Sequence, residues 1–336
     1  MMATPTQPVN ESLLTRSVRG VFMAGGRAHS LLAGLVYDVT FPALVRYTRY
    51  GRFPRLKRAL IPALILPAAP THHPREFVTT TYFGSRFAGT TRDIIPMAVC
   101  LFGVLEENLS YWCEGCLAPG DVFVDVGAHV GYFSLLASHL VGPAGRVVAI
   151  EASPATFARL QHNLALNPHA ANVRAVCAVA ADRGGTRAVY RGPAHSTGIT
   201  SIHPRPLTGN RFEADVAAAP LADLLSPEEI GRARLLKVDV EGAEFEVIEG
   251  LEPMLHALRA DCEIVIETAE DWHYQGRPAR PDDLAGWFRA RGFLAYRLPK
   301  DLIVDRRQPR RPARVRGTLP DGYYDLIFSR RDVHAL

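Results

Sequence analysis

The feature that most constrains this 336-residue chain is the stretch 121–131, where an apolar strand behind the Pro119-Gly120 turn runs into Val-Asp-Val-Gly-Ala-His-Val-Gly. A strand that is apolar on both faces belongs in a sheet covered on both sides. Residues 132–140 then carry helical spacing, so the glycine turn delivers the chain from a buried strand to a helix. From about residue 118 onward strand-like and helix-like segments alternate, the pattern of a mostly parallel sheet with helices on both faces. Seven strands are expected, at 121–126, 146–150, 173–179, 235–240, 263–267, 293–298 and 323–329.

Helices are expected at 107–117, from Ser153-Pro154 to about 167, and from 242 towards 258. Ser153 supplies an N-cap and Pro154 a first helical residue with its φ already set. The polar, Gly- and Pro-containing stretch 192–210 reads as a long loop over the sheet edge.

The formal net charge of +4 is mild, and its excess lies in the first seventy-odd residues and in 306–316. Phosphate binding needs a basic face sustained across a folded domain, so no nucleic-acid partner is expected. Five cysteines, with no signal peptide ahead of them, point to a reducing, cytoplasmic setting. Cys113 and Cys116 are half of a zinc set and read as small residues one turn apart on a helix. Residues 1–77 read as a helical extension of unknown role, and 78–336 as the α/β domain. The apolar stretches 28–45 and 59–70 are too interrupted to span a bilayer, but the arginines between them would suit peripheral contact with an anionic membrane.

Gly127 and Gly131 let the backbone approach a ligand at a helix N-terminus. A dinucleotide site would show G-x-G-x-x-G; here the spacing is G-x-x-x-G with Asp125 at the strand end. That carboxylate would repel a pyrophosphate and welcome the ammonium group of S-adenosylmethionine. Glu151, at the end of the second strand, stands where such sites place the acid that accepts hydrogen bonds from ribose hydroxyls. Asp239, Glu241 and Glu244 lie at the carboxyl end of the fourth strand, where open α/β sheets bind ligands, although acids there also cap helices. Glu267 ends the fifth strand on the same edge, and His195, His203, Trp272 and His273 lie on loops beside it.

GDVFVDVGAHVGYFSLLAS from Gly120, AIEASPATFARLQHNLALN from Ala149 and LLKVDVEGAEFEVIEGL from Leu235 together resemble the FkbM family of methyltransferases. The stretch 93–106, ending FGVLE, and YYDLIFSR from Tyr323 extend the resemblance over about residues 80–330. It implies a Rossmann-like class I methyltransferase fold, S-adenosylmethionine as donor, and O-methylation of a hydroxyl on a sugar, glycoconjugate or polyketide-type metabolite. The family's cofactor-binding roles fall on Asp125, Gly127, Gly131 and Glu151, while His129 stands where related sequences often have Asn. A weakly nucleophilic hydroxyl gains from a base or from a divalent metal, and the catalytic candidates are Asp239, Glu241 and Glu244. Two alternatives stay open: a methyltransferase acting on nucleic acid or protein, and a non-catalytic Rossmann-type binding module. Against an enzyme acting on exocyclic amino groups of bases, the chain has Asp239-Val-Glu-Gly where a D/N/S-P-P-Y/F/W motif would stand.

Overall fold

The computed structural model describes residues 43, 45–49, 75–204, 209–268, 273–274, 277–300, 309–320 and 322–333. An antiparallel hairpin opens the domain, β1 (Glu76–Thr80) with β2 (Arg86–Thr90), followed by helices α1 (Ile94–Phe102) and α2 (Glu107–Cys116). β1 therefore begins two residues ahead of the boundary expected at 77/78.

The alternating region then gives β3 (Val122–Val126), α3 (Tyr132–Val141), β4 (Arg146–Glu151), α4 (Pro154–Ala165) and β5 (Val173–Cys177). After an insertion come β9 (Ala233–Val238), α7 (Glu244–Leu251), β10 (Glu263–Glu267), α8 (Pro281–Arg289), β13 (Leu294–Pro299), β14 (Ala313–Arg314) and β15 (Tyr324–Ser329). A two-residue ladder, β11 (His273–Tyr274) with β12 (Arg277–Pro278), precedes α8. The central sheet has the order β14-β13-β15-β10-β9-β3-β4-β5; the five strands from β10 to β5 are parallel, and β15 is antiparallel to both of its neighbours. This is the expected seven-stranded Rossmann-like methyltransferase sheet, with the two-residue β14 added at one edge.

Alternation along β3 shows why both faces must be covered. Val122, Val124 and Val126 pack in a cluster with Phe245, Ile248 and Leu251 of α7 and Leu284 and Phe288 of α8. Phe123 points the other way, into a second cluster with Leu109 and Cys113 of α2 and Leu135 and Leu136 of α3. The CxxC thus lies in the core: Cys113 and Cys116 are buried thiols pushed up by that burial, with Cys116 donating to Glu263 at 3.2 Å.

Several local expectations change. The strand expected at 173–179 breaks at Ala178, whose N–H turns to the Glu151 carbonyl, so β6 (Val179–Ala181) joins a separate sheet of order β6-β8-β7. Its other strands, β7 (Gly185–Arg191) and β8 (Arg211–Pro220), bracket the expected loop; their alternation is masked because few of their positions, Val189 and Val216 among them, are apolar and buried. The insertion closes with α5 (Leu221–Leu224) and α6 (Pro227–Arg232). The helix expected as far as 258 becomes 3₁₀ from Glu252, because Pro253 has no N–H to continue the ladder. Ser153 does cap α4, accepting from Thr156 N at 3.2 Å.

Among the described residues no single helix is long and apolar enough to cross a membrane. The expected membrane-facing stretches and residues 306–308 lie almost wholly outside the described residues. One part of the extension is described: residues 45–49 are helical and tied to the domain. Arg49 donates to the carbonyls of Thr80, Val99 and Cys100 at 2.7–3.0 Å, and Thr48 donates to Leu101 at 2.7 Å. Of these, the Cys100 and Leu101 carbonyls lie in the last turn of α1, where carbonyls have no partner within the helix, and the Thr80 carbonyl ends β1.

Candidate active site

Strand order reverses at β3: the chain passes from β3 to β4 on one side and returns later to β9 on the other. At such a switch point the loops beyond the strand ends diverge and leave a crevice. The crevice here encloses about 830 Å³ free of protein atoms, a space that includes solvent at its open side.

One end is formed by the glycine turn and β4. Gly127 adopts φ 80°, and a Cβ there would fall 1.7 Å from the Asp239 carbonyl oxygen, so only glycine lets the turn pack against the β9 loop. Glu151 accepts from the His129 N–H at 2.8 Å and the Ser153 N–H at 2.9 Å, which fixes its carboxylate at the crevice wall. Burial pushes this carboxyl up to about 7 against those two hydrogen bonds. Ile150, Ala152, Ala178 and Val179 line the wall beside it as an apolar slot.

The other end is charged. Lys237, buried on β9, donates to Asp239 at 2.9 Å and lies 4.0 Å from Asp125. Burial opposes ionisation of Asp239, but Lys237 and a hydrogen bond from Glu267 outweigh it and hold the carboxyl well below its usual range. Glu267 moves the opposite way, raised well above the ordinary carboxyl value by burial and by the Asp239 charge. Two carboxyl groups in contact are thus pulled in opposite directions, Asp239 towards the charged form and Glu267 away from it, with Lys300 beside Glu267 opposing its rise.

The segment between β7 and β8 crosses the crevice mouth. His129 Nε2 lies 2.8 Å from Thr197 Oγ1, and Thr197 donates to the buried N-cap carboxylate Asp93. Burial lowers His129 to about 4, so its ring is neutral near pH 7; with the Thr197 proton on Asp93, Nε2 is the donor to Thr197. Ser201 donates to the Glu241 carbonyl at 2.8 Å and ties the same segment to the β9 loop.

The model of the methyltransferase FkbM domain matches residues 125–295, from the end of β3 into β13. The chain belongs to the FkbM methyltransferase family. It is similar to the 31-O-demethyl-FK506 methyltransferase FkbM of Streptomyces tacrolimicus, 32% identical over 165 residues, covering 40% of this chain and 61% of that protein. It is also similar to the hexuronic acid methyltransferase AglP of Haloferax volcanii, 27% identical over 154 residues, covering 44% of this chain and 55% of the relative. The chain therefore spans less than two thirds of the length of either relative. A crystal structure of methyltransferase FkbM from Methylobacillus flagellatus aligns with a TM-score of 0.41 at 15% identity, covering 69% of this chain and 53% of the other.

S-adenosylmethionine is the cofactor of this family's fold, and the crevice fits it. Glu151 offers acceptor oxygens for a ribose edge, and the adjacent slot is apolar as an adenine ring requires.

Of the expected FkbM site residues, Gly127, His129, Glu151, Asp239 and Glu241 line the crevice, and so does Glu267. Three do not. Asp125 was expected to meet the donor's ammonium, but it occupies the same face of β3 as Phe123; its carboxylate accepts from Ser134 at 2.6 Å and faces Lys237 instead. Gly131 turns the chain into α3 at φ 92°, with Leu160 against it. Glu244, expected as a catalytic candidate, is buried at the start of α7, where it accepts from the N–H groups of Gly242 and Val240 at 3.0–3.2 Å and pins the loop that leads into the helix. His203 pairs with Glu246 at 3.2 Å, and the His195 carbonyl accepts from Ile94 N. Trp272 lies outside the described residues, as does the side chain of His273. Thr197, Ser201 and Lys300 belong to the site without any local motif to announce them, and Glu106 closes the FGVLE stretch, where nothing in the sequence marks it as a site residue.

Proposed function

We propose that this chain is an S-adenosylmethionine-dependent O-methyltransferase acting on a hydroxyl of a sugar, glycoconjugate or polyketide-type secondary metabolite. The observation that carries the reading is Asp239: an ionised carboxylate inside the crevice, kept charged by Lys237 and separated from Glu151 by the glycine turn. Two relatives are described as methyltransferases of 31-O-demethyl-FK506 and of hexuronic acid, which supports a small oxygen-bearing acceptor as a class.

When bound, S-adenosylmethionine supplies an electrophilic methyl carbon on a sulfonium. Glu151 and the apolar slot hold the donor's nucleoside end, and the turn at Gly127 sets the distance from there to Asp239. Asp239 accepts a hydrogen bond from the acceptor hydroxyl and so orients an oxygen lone pair along the transfer line. Asp239 is the group placed to take the hydroxyl proton that the acceptor oxygen must lose on methylation. An acid held this far down is a weak base, so its main contribution is orientation, with proton transfer late. Thr197 and Ser201 hold the covering segment in place, which limits water at the reacting oxygen.

The test is incubation with donor labelled in the methyl group and fractionated extract of the cells the protein comes from. Label in hydroxyl-bearing small molecules or glycans is expected. Label confined to protein or nucleic acid, or donor binding with no transfer to any fraction, contradicts the reading.

A further inference from the structure

Three carboxylates from distant segments meet at the acceptor end of the crevice: Glu106, Asp239 and Glu267 each bring an oxygen within 4.8 Å of the others. Three oxygens so placed resemble part of the set a hard divalent cation takes, which is how a metal would lower the pKa of an acceptor hydroxyl. A side chain already stands there. Lys300 Nζ is 3.1 Å from Glu106 Oε1, contacts Glu267 Oε1 and lies 3.7 Å from Asp325.

We propose that Lys300 is a positioning residue whose ammonium fills the place a divalent cation would take among Glu106, Asp239 and Glu267, so that methyl transfer here runs on a fixed lysine and a carboxyl pair. The proposal rests on reading this end of the crevice as the acceptor end.

Lys300 is placed by more than its own charge. It follows directly on β13, where Asn108, buried on α2, donates to the Pro299 carbonyl at 2.7 Å and accepts from Arg310 N at 2.8 Å. One turn of α2 therefore anchors the backbone on both sides of residues 300–309. The same turn presents Glu106, the residue before α2, whose φ of 42° is uncommon for a side-chain-bearing residue and directs its carboxylate at Lys300.

Charge balance points the same way. Lys237 serves Asp239 from below, and Lys300 serves Glu106, Glu267 and Asp325 from the side. A divalent ion added to this pocket would sit within a few ångströms of two buried ammonium groups and compete with them for the same oxygens. A long flexible lysine bound to three carboxyl groups is also pre-ordered, so it costs little further entropy when an acceptor arrives.

The experiment is a titration with Mn²⁺ alone, followed by calorimetry and by the loss of the free-ion paramagnetic resonance signal, on the full chain and its variants. The wild type and Lys300→Arg are expected to bind no tighter than millimolar. Lys300→Ala, which takes the ammonium away from Glu106 and Glu267 while Lys237 stays on Asp239, is expected to gain at least tenfold in Mn²⁺ affinity, and Lys300→Ala/Glu267→Gln is expected to lose that gain. Far-ultraviolet circular dichroism and S-adenosylhomocysteine binding establish that each variant is folded. If Lys300→Ala does not fold, Lys300→Gln takes its place; if neither folds, the wild-type titration decides, because micromolar binding there overturns the proposal. Equal Mn²⁺ affinity in folded wild type and Lys300→Ala overturns it as well. Neither readout depends on methyl transfer, so a protein that binds donor and never transfers it would count against the function while leaving this test intact.

Discussion

The two ends of the crevice are built from different materials. The donor end is local: one strand, one turn and the end of the next strand supply Gly127, His129 and Glu151, with most contacts made through the backbone. The acceptor end is assembled across the chain, with Glu106 and Lys300 meeting from positions 194 residues apart. A backbone cradle suits a ligand of fixed shape, whereas a side-chain network can be changed residue by residue without disturbing the sheet. The contrast predicts that the ends separate experimentally.

The largest effect belongs to the acceptor end. Asp239→Asn is expected to lower turnover by ~10²–10⁴-fold while donor affinity changes little. Steady-state kinetics with the true acceptor, beside calorimetry with the donor, measure both quantities. Near-wild-type turnover would move the orienting role to Glu241 or Glu267.

The same contrast explains what could be read from the sequence. The strand, glycine turn and helix at 121–141 announce themselves, because a buried strand is apolar throughout and the turn needs residues tolerant of positive φ. Ser153-Pro154 marks the start of α4 for equally local reasons. Asp125 shows the limit: its place at the strand end was legible, but which face it takes depends on the pleat, and Lys237 and Ser134 claim it. Glu244 shows a second limit, since an acid at a helix start reads alike whether it pins a loop or catalyses, and only the contacts with Gly242 and Val240 decide. Lys300 carried no signal at all, because its partners lie on α2, β10 and β15. The insertion sheet escaped notice because its strands bury few apolar side chains.

A smaller effect concerns pH. Burial pushes Glu151, Glu244 and Asp325 up to about 7 from ordinary carboxyl values. Between pH 5 and 7 the folded protein then holds protons that the unfolded chain has released, so stability falls as pH rises. Asp239 has the opposite shift, and its contribution is already complete above the ordinary carboxyl pKa, below this window. His129, lowered by burial to about 4, works against the fall up to the ordinary histidine value, one group against three. Thermal melts of the ligand-free protein should show a midpoint a few degrees lower at pH 7.5 than at pH 5.5. A midpoint rising with pH across this range would mean that these carboxyls are not buried as described.

The smallest effect should come from Glu244. Glu244→Ala leaves the N–H groups of Val240 and Gly242, in the loop before α7, without their acceptor and is expected to cost about 1–2 kcal/mol of stability. Turnover in the folded variant should stay within a few-fold of wild type. Denaturant melts and kinetics at saturating acceptor check the two halves, and a loss of turnover comparable to that of Asp239→Asn would restore Glu244 as a catalytic candidate.

The most direct test of the division between the ends is calorimetric titration of S-adenosylhomocysteine into wild type, Glu151→Ala and Asp239→Asn. The wild type should bind, Glu151→Ala should bind at least tenfold more weakly, a change of about 1.4 kcal/mol, and Asp239→Asn should match the wild type within a few-fold. Unchanged affinity in Glu151→Ala together with a large loss in Asp239→Asn would reverse the two ends and contradict the assignment.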